Sequence, residues 1–436
     1  MKLILIIFIL TFVSAVVELG VSANFFHDIE ESIKSDNKYK EINEKSSNDI
    51  DKELAHDVFN QAFQFNKVPD ARVPEIVSQY GYPLESYYIT TKDGYILNIF
   101  RMPYGKTGRR EGKVVLLQHG LFLAASDYVL FGPQQGLAYI LADNGYDVWM
   151  MNCRGNIYSR NHTTFDPDKD KEFWMYSWHE IGIYDIPATI DFVLAKTGNE
   201  SLYHIGHSQG TTAFYVMASI KQNYNDKIKH HISLGPTAFM KHLYSPIMRL
   251  IAPTSALTVA SLEQLGQYEF MPTKGLMRDI SSGMCSESVG TVVCKNFMFL
   301  LAGYSPHQIN ASAIPLIAGH YPAGASTRQV MHYCQEYNSG KFAQYDFGLM
   351  KNLVTYLSPT PPDYDLSEIS TPISLIYSSN DWLSATVDVD KLAERLPNLQ
   401  IKYLVPIPTW NHLDFVFGND APSVIYTKIL EILSTF

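Results

Sequence analysis

Short apolar stretches alternating with helical patterns, a long gap in that alternation, and a Gly-x-Ser-x-Gly segment between a strand and a helix predict an α/β fold. The expected architecture is a mostly parallel central sheet interrupted by a largely helical insertion. With 436 residues, 46% of them apolar, one large core with an insertion is within reach of the chain. Charged residues make up 18%, the net charge is −10, and no run of Lys or Arg tracks along the chain, which argues against a nucleic-acid partner.

The elements follow in order. Lys2 precedes an apolar run from Leu3 to Val17, shorter than the roughly 20 residues a membrane span needs. Val21-Ser22-Ala23 then offers the small residues of a cleavage site, so residues 1–23 read as a signal peptide. No later stretch is long and apolar enough to span a bilayer, and a secreted or lysosomal protein is expected. The sequons at Asn161, Asn199 and Asn310 agree with that compartment. Residues 24–67 are polar and charged, a possible propeptide with a short amphipathic helix around Glu53 to Phe65.

Strands are expected at Tyr87 to Thr90 and Tyr95 to Phe100, joined by a turn at Lys92-Asp93-Gly94. Buried central strands are expected at Lys113 to Gln118, Gly145 to Asn152 and Leu202 to Ile205. Helical patterns lie between or after them at Gly136 to Asn144, Ile183 to Lys196 and Thr211 to Lys221. The alternation lapses over 237–364, where helical pieces carry the apolar clusters Met248 to Ala252 and Phe297 to Leu301. It resumes with a strand at Ile373 to Tyr377, a helix at Val387 to Arg395, a strand at Ile401 to Val405 and a last helix at Pro422 to Leu433. The core therefore divides into 68–236 and 365–436 around a cap or lid at 237–364.

The chemistry centres on Gly206-His207-Ser208-Gln209-Gly210, preceded by a strand and followed by a helix. That is the setting of a nucleophile elbow, the strained strand-to-helix turn of the α/β-hydrolase fold. Side chains two residues before and after the serine would collide, and Gly206 and Gly210 remove them. The following helix points its positive end at a developing oxyanion.

A serine hydroxyl needs a base. Among 14 histidines, His412 follows the last strand, where this fold places it after the serine and the acid in chain order. Asp381 closes the preceding strand and is the expected acid, with Asp388 and Asp414 as competitors. His412 would take the Ser208 proton and return it to the leaving alcohol, while Asp381 would hold the imidazole tautomer. Oxyanion donors are expected from the backbone N–H groups of Gln209 and Leu121, the latter in the loop after His119-Gly120. The four cysteines allow three connectivities; the local pair Cys285 and Cys294 is favoured, with Cys153 a buried free thiol.

From about Pro69 onward the sequence resembles the acid lipase family, which includes lysosomal acid lipase and gastric lipase. The matching blocks are ordered: Gln79-Tyr80-Gly81-Tyr82-Pro83, Thr91-Lys92-Asp93-Gly94-Tyr95, Gln118-His119-Gly120-Leu121, Arg154-Gly155-Asn156, Phe173-Trp174 and Ser177-Trp178. Tyr184-Asp185-Ile186-Pro187-Ala188, the elbow itself, His320 with Pro322-Ala323-Gly324, and Asn411-His412-Leu413-Asp414-Phe415 complete them.

The resemblance implies hydrolysis of triacylglycerols or cholesteryl esters at a lipid–water interface, without metal or cofactor, beneath a cap with a lid. Its triad falls on Ser208, Asp381 and His412, its oxyanion donors on Leu121 and Gln209, and its cap disulfide on Cys285 and Cys294. Cys153 departs from the family's usual Ser before Arg-Gly-Asn, and the N-terminal extension is longer than usual. Two other functions fit the same scaffold: an esterase of small soluble esters, and a non-catalytic lipid-binding protein. Retention of every expected catalytic residue argues against the second.

Overall fold

A computed structural model of the chain describes residues 71–271, 285 and 288–436, all within the unit Val68–Phe436. The expected leader over 1–23 and the polar extension over 24–67 lie outside the described residues.

The strands at the centre of the sheet are buried along nearly their whole length because both of their faces are covered. Eight strands form the sheet: β1 (Glu85–Thr90), β2 (Ile96–Met102), β3 (Val114–Gln118), β4 (Asp147–Met150), β5 (Leu202–His207), β6 (Ile228–Leu234), β7 (Ile373–Tyr377) and β8 (Leu399–Leu404). Their spatial order is β1-β2-β4-β3-β5-β6-β7-β8. The pairs β1/β2 and β2/β4 are antiparallel and every other pair is parallel. The expected mostly parallel sheet is what the structure has.

Alternation along each strand sends successive side chains to opposite layers. On β3, Val114 and Leu116 join one core cluster, Val115 and Leu117 the other. The first layer is closed by helices α3 (Ile186–Thr197) and α4 (Gln209–Ile220), which contribute Ile190 and Val193, and Phe214 and Val216. The second is closed by α2 (Leu137–Asp143) and α9 (Thr427–Thr435), through Leu137 and Leu141, and Ile429 and Leu433. A further helix, α1 (Val73–Gln79), adds Val73, Ile76 and Val77 to that second layer.

Strand β6 is missing from the reading of the sequence. Lys229, His230 and His231 break its apolar run, yet both imidazoles are fully buried. The ring of His230 bonds Ser374 Oγ at 2.8 Å, and His231 stacks on Phe214 with centroids 3.6 Å apart. A chain of hydrogen bonds then crosses three strands. Tyr215 and Ser233 meet at 2.6 Å, Ser233 and His231 at 2.7 Å, His231 and His204 at 2.9 Å, and His204 and Gln118 at 3.0 Å. Burial pushes His204 down to about 3 and His231 well below the ordinary imidazole range, so both rings are neutral and each has a donor and an acceptor to offer. Paired in this way, His204 and His231 fill central strand positions with both ring nitrogens engaged, while His230 uses Nε2 and leaves Nδ1 buried without a partner.

Among its described residues, the segment between β6 and β7 adds no strand to this sheet. Its described helices include α5 (Ser288–Ala302), α6 (Thr327–Ser339) and α7 (Leu349–Tyr356), and a two-residue antiparallel pair joins Glu269–Phe270 to Ala325–Ser326. After β7 comes α8 (Thr386–Ala393). No helix among the described residues is long and apolar enough to cross a membrane.

Candidate active site

The parallel strands β5, β7 and β8 all end at one edge of the sheet, and the loops beyond them carry Ser208, Asp381 and His412. Ser208 lies between β5 and α4 with φ of 53°, a conformation that side-chain-bearing residues rarely adopt. Its N–H donates to Leu234 O at 3.0 Å. A Cβ on Gly206 would lie 2.8 Å from the backbone carbon of Gly210, the collision expected from the sequence. Gly210 is required for a different reason, because a Cβ there would come within 2.5 Å of Gln118 O at the end of β3. The second glycine lets the elbow pack against the neighbouring strand.

Asp381 and His412 are both buried, and His412 Nδ1 bonds Asp381 Oδ2 at 2.7 Å. The other carboxylate oxygen, Oδ1, accepts the N–H groups of Leu383 and Ser384 at 2.9 and 2.8 Å. Three donors thus fix the carboxylate, and the imidazole is oriented with Nδ1 occupied. His412 Nε2 is buried and has no hydrogen-bond partner. Other buried polar atoms share that state, Nδ1 of His207 among them; His412 differs in that its other nitrogen is held by a carboxylate.

The residue beside Ser208 ties the elbow to His412. His207 donates from Nε2 to His412 O at 2.9 Å, and the two rings lie 5.1 Å apart. Burial, then the neighbouring His412, pushes His207 down to about 3, so it is a neutral donor. The competing acids are engaged elsewhere. Asp388 accepts from the ring and backbone of His242, both at 2.8 Å. Asp414 accepts from Asn411 N–H at 2.7 Å and Ser305 Oγ at 2.6 Å, and burial raises it to about 7.

The loop after β3 is held by a histidine that in the sequence is no more than part of a motif. His119 Nε2 accepts the Cys153 N–H at 3.1 Å, so Nδ1 carries the proton and donates to Gly120 O at 2.8 Å. Burial lowers His119 to about 4. With the Gly120 carbonyl pinned, the loop runs close to the elbow: a Cβ on Gly120 would lie 3.0 Å from Ser208 Cβ. The turn and loop hydrogen bonds of the described residues use neither the Leu121 nor the Gln209 N–H.

The segment between β6 and β7 grips the same loops. The carbonyl of Ala302, at the end of α5, accepts the N–H groups of both Trp382 and His412, at 3.1 and 3.2 Å. Gly303 follows with φ of 120°, and a Cβ there would lie 2.2 Å from Asn380 O. Nothing in the sequence distinguished this glycine from an ordinary helix end. On the elbow side, Gln329 of α6 donates to Gln209 Oε1 at 3.0 Å. Phe122 O accepts the Ala323 N–H at 2.7 Å.

The model of the α/β-hydrolase fold matches residues 113–419, and that of the partial α/β-hydrolase lipase region matches 73–132. The chain is 44% identical to Lipase 3 of Drosophila melanogaster, over 83% of this chain and 92% of the relative. The chain belongs to the α/β-hydrolase lipase family. This hydrolase is also 38% identical to the gastric triacylglycerol lipase of Mus musculus, over 87% and 96% of the two chains. It is 39% identical to lipase member M of Homo sapiens, over 83% and 85%. Among solved structures, a candidate lipase from Sulfolobus solfataricus superposes with a TM-score of 0.50 at 15% identity, over 80% of the hydrolase and 99% of that chain, which bears on the fold alone.

Of the four cysteines, Cys285 and Cys294 form a disulfide, while Cys153 and Cys334 are buried free thiols. Asn161 and Asn310 are exposed and Asn199 is half-buried.

Proposed function

We propose that this hydrolase cleaves neutral lipid esters, triacylglycerols or sterol esters, through an acyl-enzyme on Ser208. The observation that carries the reading is the state of His412: Nδ1 is fixed by Asp381, while Nε2 stays buried and open beside the elbow. An open imidazole nitrogen of that kind is what a serine nucleophile requires of its base.

In this reading Ser208 Oγ attacks the ester carbonyl as His412 Nε2 takes its proton. The carbonyl oxygen becomes an oxyanion received by the N–H groups of Leu121 and Gln209. Collapse expels the alcohol, which takes the proton from His412, and leaves the acyl group on Ser208. Water, deprotonated by His412, then attacks the acyl carbon and releases the acid, restoring the serine hydroxyl. Asp381 stabilises the imidazolium formed in both halves.

Relatives named gastric triacylglycerol lipase and Lipase 3 support the lipid ester as substrate. The Cys285–Cys294 disulfide fits an environment outside the cytosol, secreted or lysosomal, in which residues 1–23 would act as a signal peptide and Asn161, Asn199 and Asn310 would be open to glycosylation. A fluorophosphonate probe that reacts with the serine of such sites tests the mechanism. Stoichiometric labelling of the wild type, lost in a folded Ser208→Ala variant together with hydrolysis of emulsified triolein, is expected. Undiminished turnover in that variant would overturn the mechanism.

A further inference from the structure

Helix α7 is built inside out. Leu349, Met350, Leu353, Val354 and Leu357 are between 42% and 90% exposed, while Asn352 is buried. The apolar positions recur at i, i+1, i+4, i+5 and i+8, which places them on one face of a helix. The inward anchor is polar and fully used. Asn352 Oδ1 accepts the Phe347 N–H at 2.9 Å, and Nδ2 donates to Asp346 Oδ1 at 2.7 Å and Pro359 O at 3.1 Å. Burial of the apolar face against the protein would require the helix to turn over and break those three bonds. At the C-cap, Leu357 has φ of 56°, where glycine or asparagine is the usual choice. A leucine is thus held, in a disfavoured backbone state, at the most exposed point of the face.

We propose that α7 docks this protein on the surface of a neutral lipid ester aggregate. The inference rests on the lipid-ester reading above and names the surface through which the substrate phase is met. Two observations select that occupant. The five side chains present roughly 600 Å² of surface, at the top of the range for patches on monomers but below the ~800 Å² per partner of a stable protein interface. The surrounding segment, residues 341–368, holds Lys341 and Lys351 against Asp346, Asp363, Asp365 and Glu368. Both lysines are engaged, Lys341 with Asp363 at 3.5 Å and Lys351 over the Phe347 ring at 4.5 Å, and Arg328 of α6 packs on the Phe347 and Tyr345 rings at 5.8 and 5.9 Å, so these acids outnumber the cations by one. An apolar face in an acidic surround fits an uncharged lipid surface and is repelled by an anionic bilayer.

The test compares the wild type with a Val354→Glu/Leu357→Asn variant and a gentler Met350→Gln/Val354→Thr variant. Flotation with triolein droplets coated in phosphatidylcholine reads docking, and hydrolysis of dissolved p-nitrophenyl butyrate reads the catalytic site. Droplet binding is expected to fall at least about tenfold in the first variant and less in the second. The apparent KM on emulsion should rise in step, with kcat/KM on the dissolved ester within about twofold of wild type. Wild-type droplet binding in both variants would overturn the proposal, as would wild-type preference for droplets coated in phosphatidylglycerol. A wild-type dimer that becomes monomeric in the variants with droplet binding unchanged would assign the face to a second copy of the chain. Absence of all ester hydrolysis by the wild type would sink the functional reading while flotation still decided docking.

Discussion

The side-chain amide of Gln329 reaches from α6 to Gln209 Oε1 at 3.0 Å, joining the insertion to the residue that follows Ser208. Gln329 is fixed in turn, its Oε1 accepting the Ser326 N–H at 2.8 Å and its own N–H donating to Ser326 Oγ at 3.2 Å. Both glutamines are buried. Replacing Gln329 by Met keeps the volume and removes the link. In the proposed mechanism the Gln209 N–H receives the oxyanion; loss of a whole such donor costs about 10²–10³ in turnover, so loosening this one should lower kcat by about tenfold. The KM for a dissolved ester should stay near that of the wild type, and initial-rate kinetics separate the two. A rise in KM with kcat unchanged would place Gln329 in substrate binding.

Gly303 sets the distance between the loops that carry Asp381 and His412. A methyl group there meets Asn380 O at 2.2 Å, and the glycine's φ of 120° already disfavours any side chain. Gly303→Ala should move the Asp381 loop. A displacement of ~1 Å at a catalytic group lowers rates by about 10², so kcat/KM is expected to fall by roughly that factor. Fluorophosphonate labelling should slow in parallel, because in the proposed mechanism the His412 imidazole would serve both reactions. Wild-type labelling rates in this variant would show that the loop absorbs the methyl group without moving.

Stability should depend on pH through two opposed sets of groups. Burial raises Asp127 to about 8, above its value of about 3.9 in an unfolded chain. The folded state therefore holds a proton that the unfolded state releases, and stability present at pH 4 is lost as pH rises through 8. Asp127→Asn keeps the shape and removes the titration. Its melting temperature at pH 8 should exceed the wild type's by several degrees, with little difference at pH 4. In the other direction, burial lowers His119 to about 4 and His204 to about 3, below the unfolded value of about 6.5. Those two favour the folded state fully above pH 6.5 and lose their contribution as pH falls toward 3. Melting curves of Asp127→Asn from pH 4 to 8 check the first set; an unchanged slope would show that Asp127 is already ionised in the folded protein.

Thiol chemistry has one expected outcome. Alkylation of the denatured, unreduced chain should modify Cys153 and Cys334 alone, and peptide mapping should recover Cys285 joined to Cys294. Alkylation of the native protein should modify neither free thiol, since both are buried. Four labelled cysteines after denaturation would show the pairing to be absent.

Much of the fold is legible because its signals are local. The buried runs at Val114–Gln118 and Ile373–Tyr377 announce central strands by composition, and Gly206 to Gly210 announces a strained turn between a strand and a helix. Strand β6 escaped for the opposite reason. Lys229-His230-His231 looks polar in isolation, and only the neighbours His204, Ser374 and Phe214 make neutral, buried imidazoles favourable there. Asp381 was the expected partner of His412, with Asp388 and Asp414 as competitors. Folding decided it by engaging Asp388 with His242 and Asp414 with Ser305 and Asn411, leaving Asp381 on Nδ1.

What the chain settled by itself, then, was the layered architecture, the position of the elbow and the order of its chemical groups, because period, glycine spacing and strand ends are written within a few residues. What tertiary structure decided was everything that depends on two distant segments meeting: the tautomers of His119 and His207, the need for glycine at 303, the hold of Gln329 on Gln209, and the outward face of α7. Hydrogen bonds and close contacts are set by separation in space, and no local pattern fixes a distance across a hundred residues of chain.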